Sequence, residues 1–110
     1  MFKMEIQMDE EKILREDKIN LLKVYAALDK ICSEHGLKKE GKADDGTITY
    51  TTNDKRKGFG AMVAASIQLD RQYWFVPNCK KHLWSDDEDN PGVWETEDLL
   101  DNALRRKGLK

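Results

Sequence analysis

The chain has 110 residues, with 19 Lys plus Arg against 21 Asp plus Glu, and 39% of its residues are hydrophobic. This length and apolar content predict one small soluble domain over residues 1–110, with a modest core. The formal charge of -2 excludes a strongly basic protein that wraps nucleic acid, and nine aromatic residues argue against intrinsic disorder.

Residues 1–8 predict a strand at the edge of a sheet. Apolar residues alternate with polar ones at Phe2, Met4, Ile6 and Met8. This is the period of a half-buried strand. A frayed N-terminal arm is the alternative, because the segment is short and has a free end.

Residues 9–36 predict one long helix. The acidic run Asp9-Glu10-Glu11 suits the positive end of a helix dipole, and His35-Gly36 is typical of a helix end. The apolar stripe is clearest in the second half of this segment. We therefore expect the first two turns to be more exposed, or a break near Asp17 where a second helix begins.

Residues 47–84 predict a β-meander. The segment 47–52 is rich in β-branched residues, and apolar residues recur at period two over 59–69. A third strand is expected at 73–76 and a short fourth strand at 80–84. Turn-forming residues separate these segments, as an antiparallel meander requires.

The C-terminal part predicts an acidic loop at 85–95 and a helix at 96–107. Thr96 is the expected helix cap, and the basic run Arg105-Arg106-Lys107 suits the negative end of the helix dipole. Taken together, the elements predict a two-layer α+β fold. Its antiparallel meander of three to four strands carries the long N-terminal helix and the short C-terminal helix on one face.

The two cysteines and two histidines repeat one spacing. Cys32 precedes His35 by three residues, and Cys79 precedes His82 by the same interval. Four such ligands would form a closed tetrahedral zinc site of the structural kind. We favour packing roles, because Cys32 lies on the apolar stripe of the predicted helix and the lysines after Cys79 would repel a cation. A Cys32–Cys79 disulfide and nucleophilic catalysis by Cys79 with His82 are further alternatives.

Two tryptophans bracket an acidic segment. Aromatic anchors rimmed by charge are enriched at protein interfaces, and an acidic patch attracts a basic partner. In the alternative interpretation, both tryptophans belong to the core and the acidic residues keep the loop in water. The candidate partner-binding residues are Trp84, Asp86, Asp87, Glu88, Asp89 and Trp94.

These features predict a small binding protein that acts by stoichiometric protein–protein interaction, as inhibitors, adaptors and immunity-type proteins do. The expected partner has a basic surface. The sequence contains no convincing catalytic set, so we expect neither an enzyme nor a cofactor other than the structural zinc considered above. The competing hypothesis is a zinc-stabilised Cys2His2 domain that binds nucleic acid through its basic turns, although the acidic composition disfavours nucleic acid.

Location and assembly follow from simpler features. No run approaches 18 apolar residues, and the N-terminus lacks the layout of a signal peptide, so we expect a cytoplasmic protein that does not insert into membranes. The small, weakly polar face of the predicted second strand, with Met62 and Ala64, leaves both a monomer and a homodimer open.

Overall fold

The computed structural model describes residues 1–88 and 90–109. Within these residues the fold is α+β, with one antiparallel five-stranded sheet and four α-helices. The order of strands across the sheet is β2-β3-β1-β4-β5. In chain order the elements are β1 (Phe2–Met8), α1 (Glu10–Glu16), α2 (Leu21–Glu34), β2 (Lys38–Lys42), β3 (Ile48–Thr52), α3 (Gly58–Asp70), β4 (Cys79–Asp86), β5 (Glu95–Asp98) and α4 (Leu99–Arg106).

The N-terminal strand β1 lies at the centre of the sheet. It pairs with β3 on one side and with β4 on the other, so that Met4 lies opposite both Tyr50 and Trp84. Its apolar residues are buried, and the residues between them are partly exposed. The predicted strand is confirmed and the predicted edge position is wrong. Alternation shows that one face of a strand is covered, whereas its place in the sheet depends on distant partners.

The predicted long helix is two helices that separate at Asp17. This residue ends α1 with a left-handed backbone, φ 52°, and the Asn20 side chain then caps α2 by accepting the Lys23 N–H at 3.1 Å. The break that the sequence offered as an alternative is therefore present. It allows α2 to follow the sheet while α1 packs against α2 and the turn before β4.

The segment 59–69, predicted as a strand, forms most of helix α3. Its buried residues Met62, Ala65 and Leu69 recur at helical spacing. Because every residue from Gly58 to Leu69 is uncharged, apolar residues are found at both period two and period 3.6, and periodicity alone could not distinguish the two. Three alanines in the segment favour the helix.

The predicted third strand at 73–76 is also wrong. This segment forms a turn that runs into a single 3-10 turn at Val76–Asn78, with Pro77 in its first positions. Proline suits the start of such a turn, since the missing N–H would have no partner there. Phe75 is buried within this turn, and the Asn78 amide donates to the Trp74 carbonyl oxygen at 2.9 Å.

Two hairpins replace the predicted meander. Strand β2 occupies the predicted connector before residue 47 and pairs with β3, and β4 extends the expected fourth strand to Asp86. Strand β5 lies across the predicted acidic loop and the predicted start of the last helix. The predicted cap, Thr96, is wrong because it lies within β5. Helix α4 begins at Leu99, and its cap is Asp98, whose side chain accepts the Asp101 N–H at 2.9 Å. Strands β2 and β5 are fully exposed edges, so their residues lack the alternation that identifies a half-buried strand.

The core lies between the sheet and the helices on one of its faces. Helix α3 packs over β1, and α4 packs over β4. The other face of β1 carries Lys3, Glu5 and Gln7, which are partly exposed. The fully buried large side chains include Met4, Ile6, Ile13, Leu28, Ile48, Tyr50, Met62, Leu69 and Phe75.

Candidate functional site

The acidic stretch that follows Ser85 in the sequence contains the edge strand β5. From Asp86 to Asp101 the sequence has eight acidic residues and neither Lys nor Arg. Strand β5 pairs with β4 and is the last strand in the sheet order, and all four of its residues are exposed. Its outer side therefore presents backbone N–H and C=O groups to solvent, beside three carboxylates.

The register with β4 determines which way the β5 side chains point. Glu97 lies opposite Trp84, and Thr96 lies opposite Ser85, whose Oγ is 2.9 Å from the Thr96 hydroxyl. Cross-strand neighbours share a face, so Glu97 points to the helix side and Thr96 to the other side. Glu97 Oε1 also accepts the Asn102 amide at 3.0 Å. The strand thus displays acidic groups toward the helix layer.

The first acidic residues of the segment are already engaged. The Met1 ammonium group lies 2.9 Å from Asp87 Oδ1 and 2.6 Å from Glu88 Oε1. Hydrogen bonding to this cation holds the pKa of Asp87 below its usual value. Asp86 is part of β4, opposite Phe2, and Asp89 lies outside the described residues. The carboxylates most open to a partner are therefore those of β5, which sequence reasoning did not single out.

The two tryptophans do not form one patch. Trp84 is half-buried on the helix side and makes an edge-to-face contact with Phe59, with 5.3 Å between ring centroids. Trp94 is 39% exposed, and Lys3 Nζ lies 4.5 Å from the centre of its ring. Lys3 and Trp84 lie on opposite faces, because Lys3 is paired with Ser85. Trp94, with the exposed Val93 beside it, is the aromatic group that leads into β5.

The four residues of the two Cys-x-x-His pairs lie in four different environments. Cys32 is buried in α2, and His35 follows that helix with Nε2 2.8 Å from Gln68 Oε1. Cys79 begins β4 and donates its S–H to the Lys81 carbonyl oxygen at 3.2 Å. His82 is fully buried with its ring against Phe75, 5.2 Å between centroids. Over residues 1–88 and 90–109, no three His, Cys, Asp or Glu side chains are grouped to hold a metal ion.

The thiols and the buried imidazole are held in their uncharged forms. Burial raises the pKa of both Cys32 and Cys79 to about 12, and it lowers the pKa of His82 to about 4. Both cysteines are free, so the alternative of a Cys32–Cys79 disulfide is wrong. Neither ring nitrogen of His82 has a hydrogen-bond partner among the described residues. Burial therefore favours the protonated thiol of Cys79, whereas a cysteine nucleophile reacts as the thiolate.

Sequence reasoning missed an apolar groove between α3 and α4. Phe59, Val63 and Ile67 form its α3 wall and are 56%, 37% and 45% exposed. The groove has a volume of about 300 Å³, and Trp84 also lines it. At one end Arg106 Nη2 joins Asp70 Oδ2 at 2.8 Å. The uncharged run from Gly58 to Leu69 was the available signal, and its assignment to a strand concealed the groove.

None of the helices in the described parts of the chain is long and apolar enough to span a bilayer. Three buried polar atoms on residues that line the groove have no hydrogen-bond partner within residues 1–88 and 90–109: Ser66 Oγ, Asp70 Oδ1 and Trp84 Nε1. Compared with known proteins, the chain matches no family model, no curated sequence and no solved structure.

Proposed function

We propose that this protein binds another protein stoichiometrically, by pairing the outer edge of β5 with an extended, basic segment of its partner. The observation that carries the proposal is the position of Glu95–Asp98, an exposed edge strand with three carboxylates in a stretch that lacks Lys and Arg. The proposal places the protein among stoichiometric binders, the class that includes inhibitors, adaptors and immunity-type proteins.

Main-chain groups provide the affinity in this mode of binding. An edge strand has unpaired N–H and C=O groups that an added strand can satisfy, and alternate side chains then provide specificity. Glu95 and Glu97 lie on one face of β5, because their partners Asp86 and Trp84 are two residues apart on β4. A partner strand with Lys or Arg at alternate positions would pair with both carboxylates.

Trp94 supplies an apolar anchor at the start of the same strand. It is 39% exposed and Val93 is 54% exposed, so both can lose solvent contact when a partner docks. Aromatic residues dominate the binding energy of many interfaces, and charged rims mainly increase the association rate. We therefore expect Trp94 to contribute mainly to the binding energy and the acidic edge mainly to the association rate, so that mutations can separate the two contributions.

The binding test uses a fluorescent peptide of about eight residues with alternating Lys and Val, compared with its Glu and Val counterpart. We expect the basic peptide alone to bind and to shift the backbone NMR signals of residues 93–98. Glu95→Gln with Glu97→Gln should weaken binding about tenfold at low salt and reduce its salt dependence. Trp94→Ala should weaken binding mainly through faster dissociation.

The matched control is Glu11→Gln with Glu16→Gln, which removes the same charge from exposed positions of α1. It should leave peptide binding unchanged. Equal losses in both double variants, or signal shifts confined to other strands, would overturn the proposal. If the β5 carboxylates only prevent aggregation, the β5 double variant would self-associate and bind the peptide normally. Retention of duplex DNA in place of the peptide would instead support the nucleic-acid hypothesis.

A further inference from the structure

The groove between α3 and α4 combines an apolar lining with a row of polar groups. Phe59, Val63 and the half-buried ring of Trp84 contribute apolar surface. Ser66 and Asp70 are four residues apart on α3, so they lie on the same side of that helix. With a volume of about 300 Å³, the groove is at the lower limit of pockets that bind small molecules, which have this mixed lining.

The polar atoms of this groove lack partners. Ser66 Oγ, Asp70 Oδ1 and Trp84 Nε1 are buried and unpaired over the described parts of the chain, and Ser66 is only 9% exposed. Most buried polar groups in folded proteins are paired, and an unpaired one costs free energy. All three atoms belong to side chains that line one groove, so a molecule held there can supply the missing partners. The Ser66 hydroxyl needs only a rotation about one bond to meet it.

The charged groups around the groove are engaged with other side chains of the protein. Arg106 Nη2 lies 2.8 Å from Asp70 Oδ2, and Glu97 Oε1 accepts the Asn102 amide at 3.0 Å. An anionic ligand would meet two carboxylates and one arginine. Its charge would have to compete with these contacts or stay unpaired, which is costly away from water. The groove therefore favours an uncharged ligand.

The unpaired atoms specify which polar group this ligand carries. The Trp84 indole N–H can only donate, an ionised Asp70 can only accept, and the Ser66 hydroxyl can do either. The ligand must therefore both accept and donate hydrogen bonds. An ammonium group has no acceptor, and an ether has no donor. A hydroxyl group has both on one atom.

We propose that the α3–α4 groove binds a small uncharged molecule with an apolar body and a hydroxyl group, of which a simple phenol is an example. Phe59 is 56% exposed and Val63 is 37% exposed, so an apolar ring that covers them gains hydrophobic stabilisation. The hydroxyl group pairs with the polar row of Ser66 and Asp70. This site goes beyond the proposed protein–protein interaction and does not use the outer edge of β5.

Titration of the isotope-labelled protein with para-cresol, followed by NMR, tests the proposal. We expect saturable binding with a Kd of about 0.1–1 mM, as is typical of so small a ligand. The signals of α3 and α4 should shift, together with the Trp84 indole N–H signal, which Trp84→Phe assigns. Para-methylanisole lacks the hydroxyl donor and para-toluate is an anion. Both should bind about threefold to tenfold more weakly than para-cresol.

Ser66→Ala tests the polar contact separately from the apolar one. The variant should fold, because it removes a hydroxyl group that is buried and unpaired. It should weaken para-cresol binding about threefold and narrow the advantage of para-cresol over para-methylanisole. The matched control is Ser33→Ala, at an exposed position of α2, which should bind both ligands like the wild type.

Phe59→Ala tests the apolar contact and should weaken para-cresol and para-methylanisole alike. Leu22→Ala is its control, on a side chain that is 79% exposed on α2. Absence of saturable binding, equal affinity for para-cresol and either matched ligand, or equal effects of Ser66→Ala and Ser33→Ala would overturn the proposal. Signal shifts confined to another surface would do the same. Binding of the basic peptide should be unchanged in Ser66→Ala, so the two proposals fail independently.

Discussion

The aromatic ring of Phe2 lies directly against the backbone of Gly58. A methyl group at Gly58 would lie 2.6 Å from Cε2 of Phe2 and 3.3 Å from Cγ2 of Thr52. The glycine is buried at the first position of α3, and Phe2 is in the central strand. This contact therefore sets how closely the helix approaches the sheet.

Gly58→Ala should destabilise the protein by about 1–3 kcal/mol, because Phe2 has to move within a packed core. Urea unfolding followed by circular dichroism measures the change. Gly60→Ala is the matched control two residues along the same helix, where the new methyl group meets nothing within 4 Å. It should stabilise the fold by about 0.5–1 kcal/mol through helix propensity. A loss of stability in both variants would contradict the packing argument.

His82 should make the fold sensitive to mild acid. Burial lowers its pKa from 6.5 to about 4, and Asp98 opposes this shift. The unfolded chain therefore takes up a proton at higher pH than the folded chain does, so the free energy of unfolding decreases as pH falls through this window. We expect a loss of about 2 kcal/mol between pH 7.5 and 5, measured by urea unfolding.

The test of the His82 prediction is the slope of the free energy of unfolding against pH. Its absolute value is not a test, because a substitution in the core changes stability at every pH. His82→Leu should remove most of the slope between pH 7.5 and 5. His35→Gln changes the other histidine, which is only half-buried, and should retain the slope. A slope that survives in His82→Leu would assign the acid sensitivity to other groups.

Both cysteines should react slowly with a thiol reagent in the folded protein. Burial raises both pKa values to about 12, which leaves roughly 1000-fold less thiolate at neutral pH than the ordinary cysteine pKa of 9.0 would give. Reaction with Ellman's reagent at pH 7.5 should be slow until urea unfolds the chain, after which both thiols react. The Cys79→Ser variant shows which of the two thiol reactions belongs to Cys32 and which to Cys79. A fast reaction of Cys79 in the folded protein would support the alternative that Cys79 is a nucleophile.

The Arg106–Asp70 ion pair should stabilise the end of the α3–α4 groove. Desolvation raises the pKa of Asp70, and Arg106 opposes that effect. Because the folded carboxyl group keeps its proton to higher pH than the unfolded one, Asp70 lowers stability above its folded pKa, and Arg106 limits the loss. Arg106→Gln should cost about 1 kcal/mol at pH 7. A double-mutant cycle with Asp70→Asn measures the interaction energy between Arg106 and Asp70.

Arg105→Gln is the control for this ion pair. Arg105 is 69% exposed and pairs with Asp101 within α4, at 2.9 Å. Exposed pairs four residues apart on a helix contribute about 0.3–0.5 kcal/mol. The loss in Arg105→Gln should therefore be smaller than in Arg106→Gln. Equal losses would indicate a shared effect of the two arginines on the helix dipole.

Local signals predicted the elements whose residues have contrasting environments. Strand β1 was predicted because its apolar residues alternate with polar ones, and helix α4 was predicted because Arg105 and Arg106 suit the negative end of a helix dipole, although its cap is Asp98 and not the predicted Thr96. Helix α3 could not be predicted in the same way, because its exposed side has no charged residue to distinguish it from the buried side. Edge strands β2 and β5 bury nothing, so they left no pattern in the sequence.

The candidate site was predicted in part. The acidic stretch and the exposed Trp94 were identified from composition, since both are properties of a single segment. The separation of Trp84 from Trp94 depends on the register of β4, because a shift of one residue reverses the face of every side chain. The environments of Cys32 and Cys79 depend on how α2 and β4 pack into the domain, which spacing along the chain does not determine.

The central position of β1 has a consequence for the order of folding. Its two neighbours lie at 48–52 and 79–86, so β1 is synthesised before either of them, and its second partner follows only after residues 53–78 have been made. Pairings this far apart along the chain carry a large loop-closure cost and fold slowly. Until β4 has been made, one edge of β1 (Phe2–Met8) has no strand partner. Its unpaired backbone groups, beside an apolar face, are then the part of the nascent chain most able to pair with another chain and aggregate.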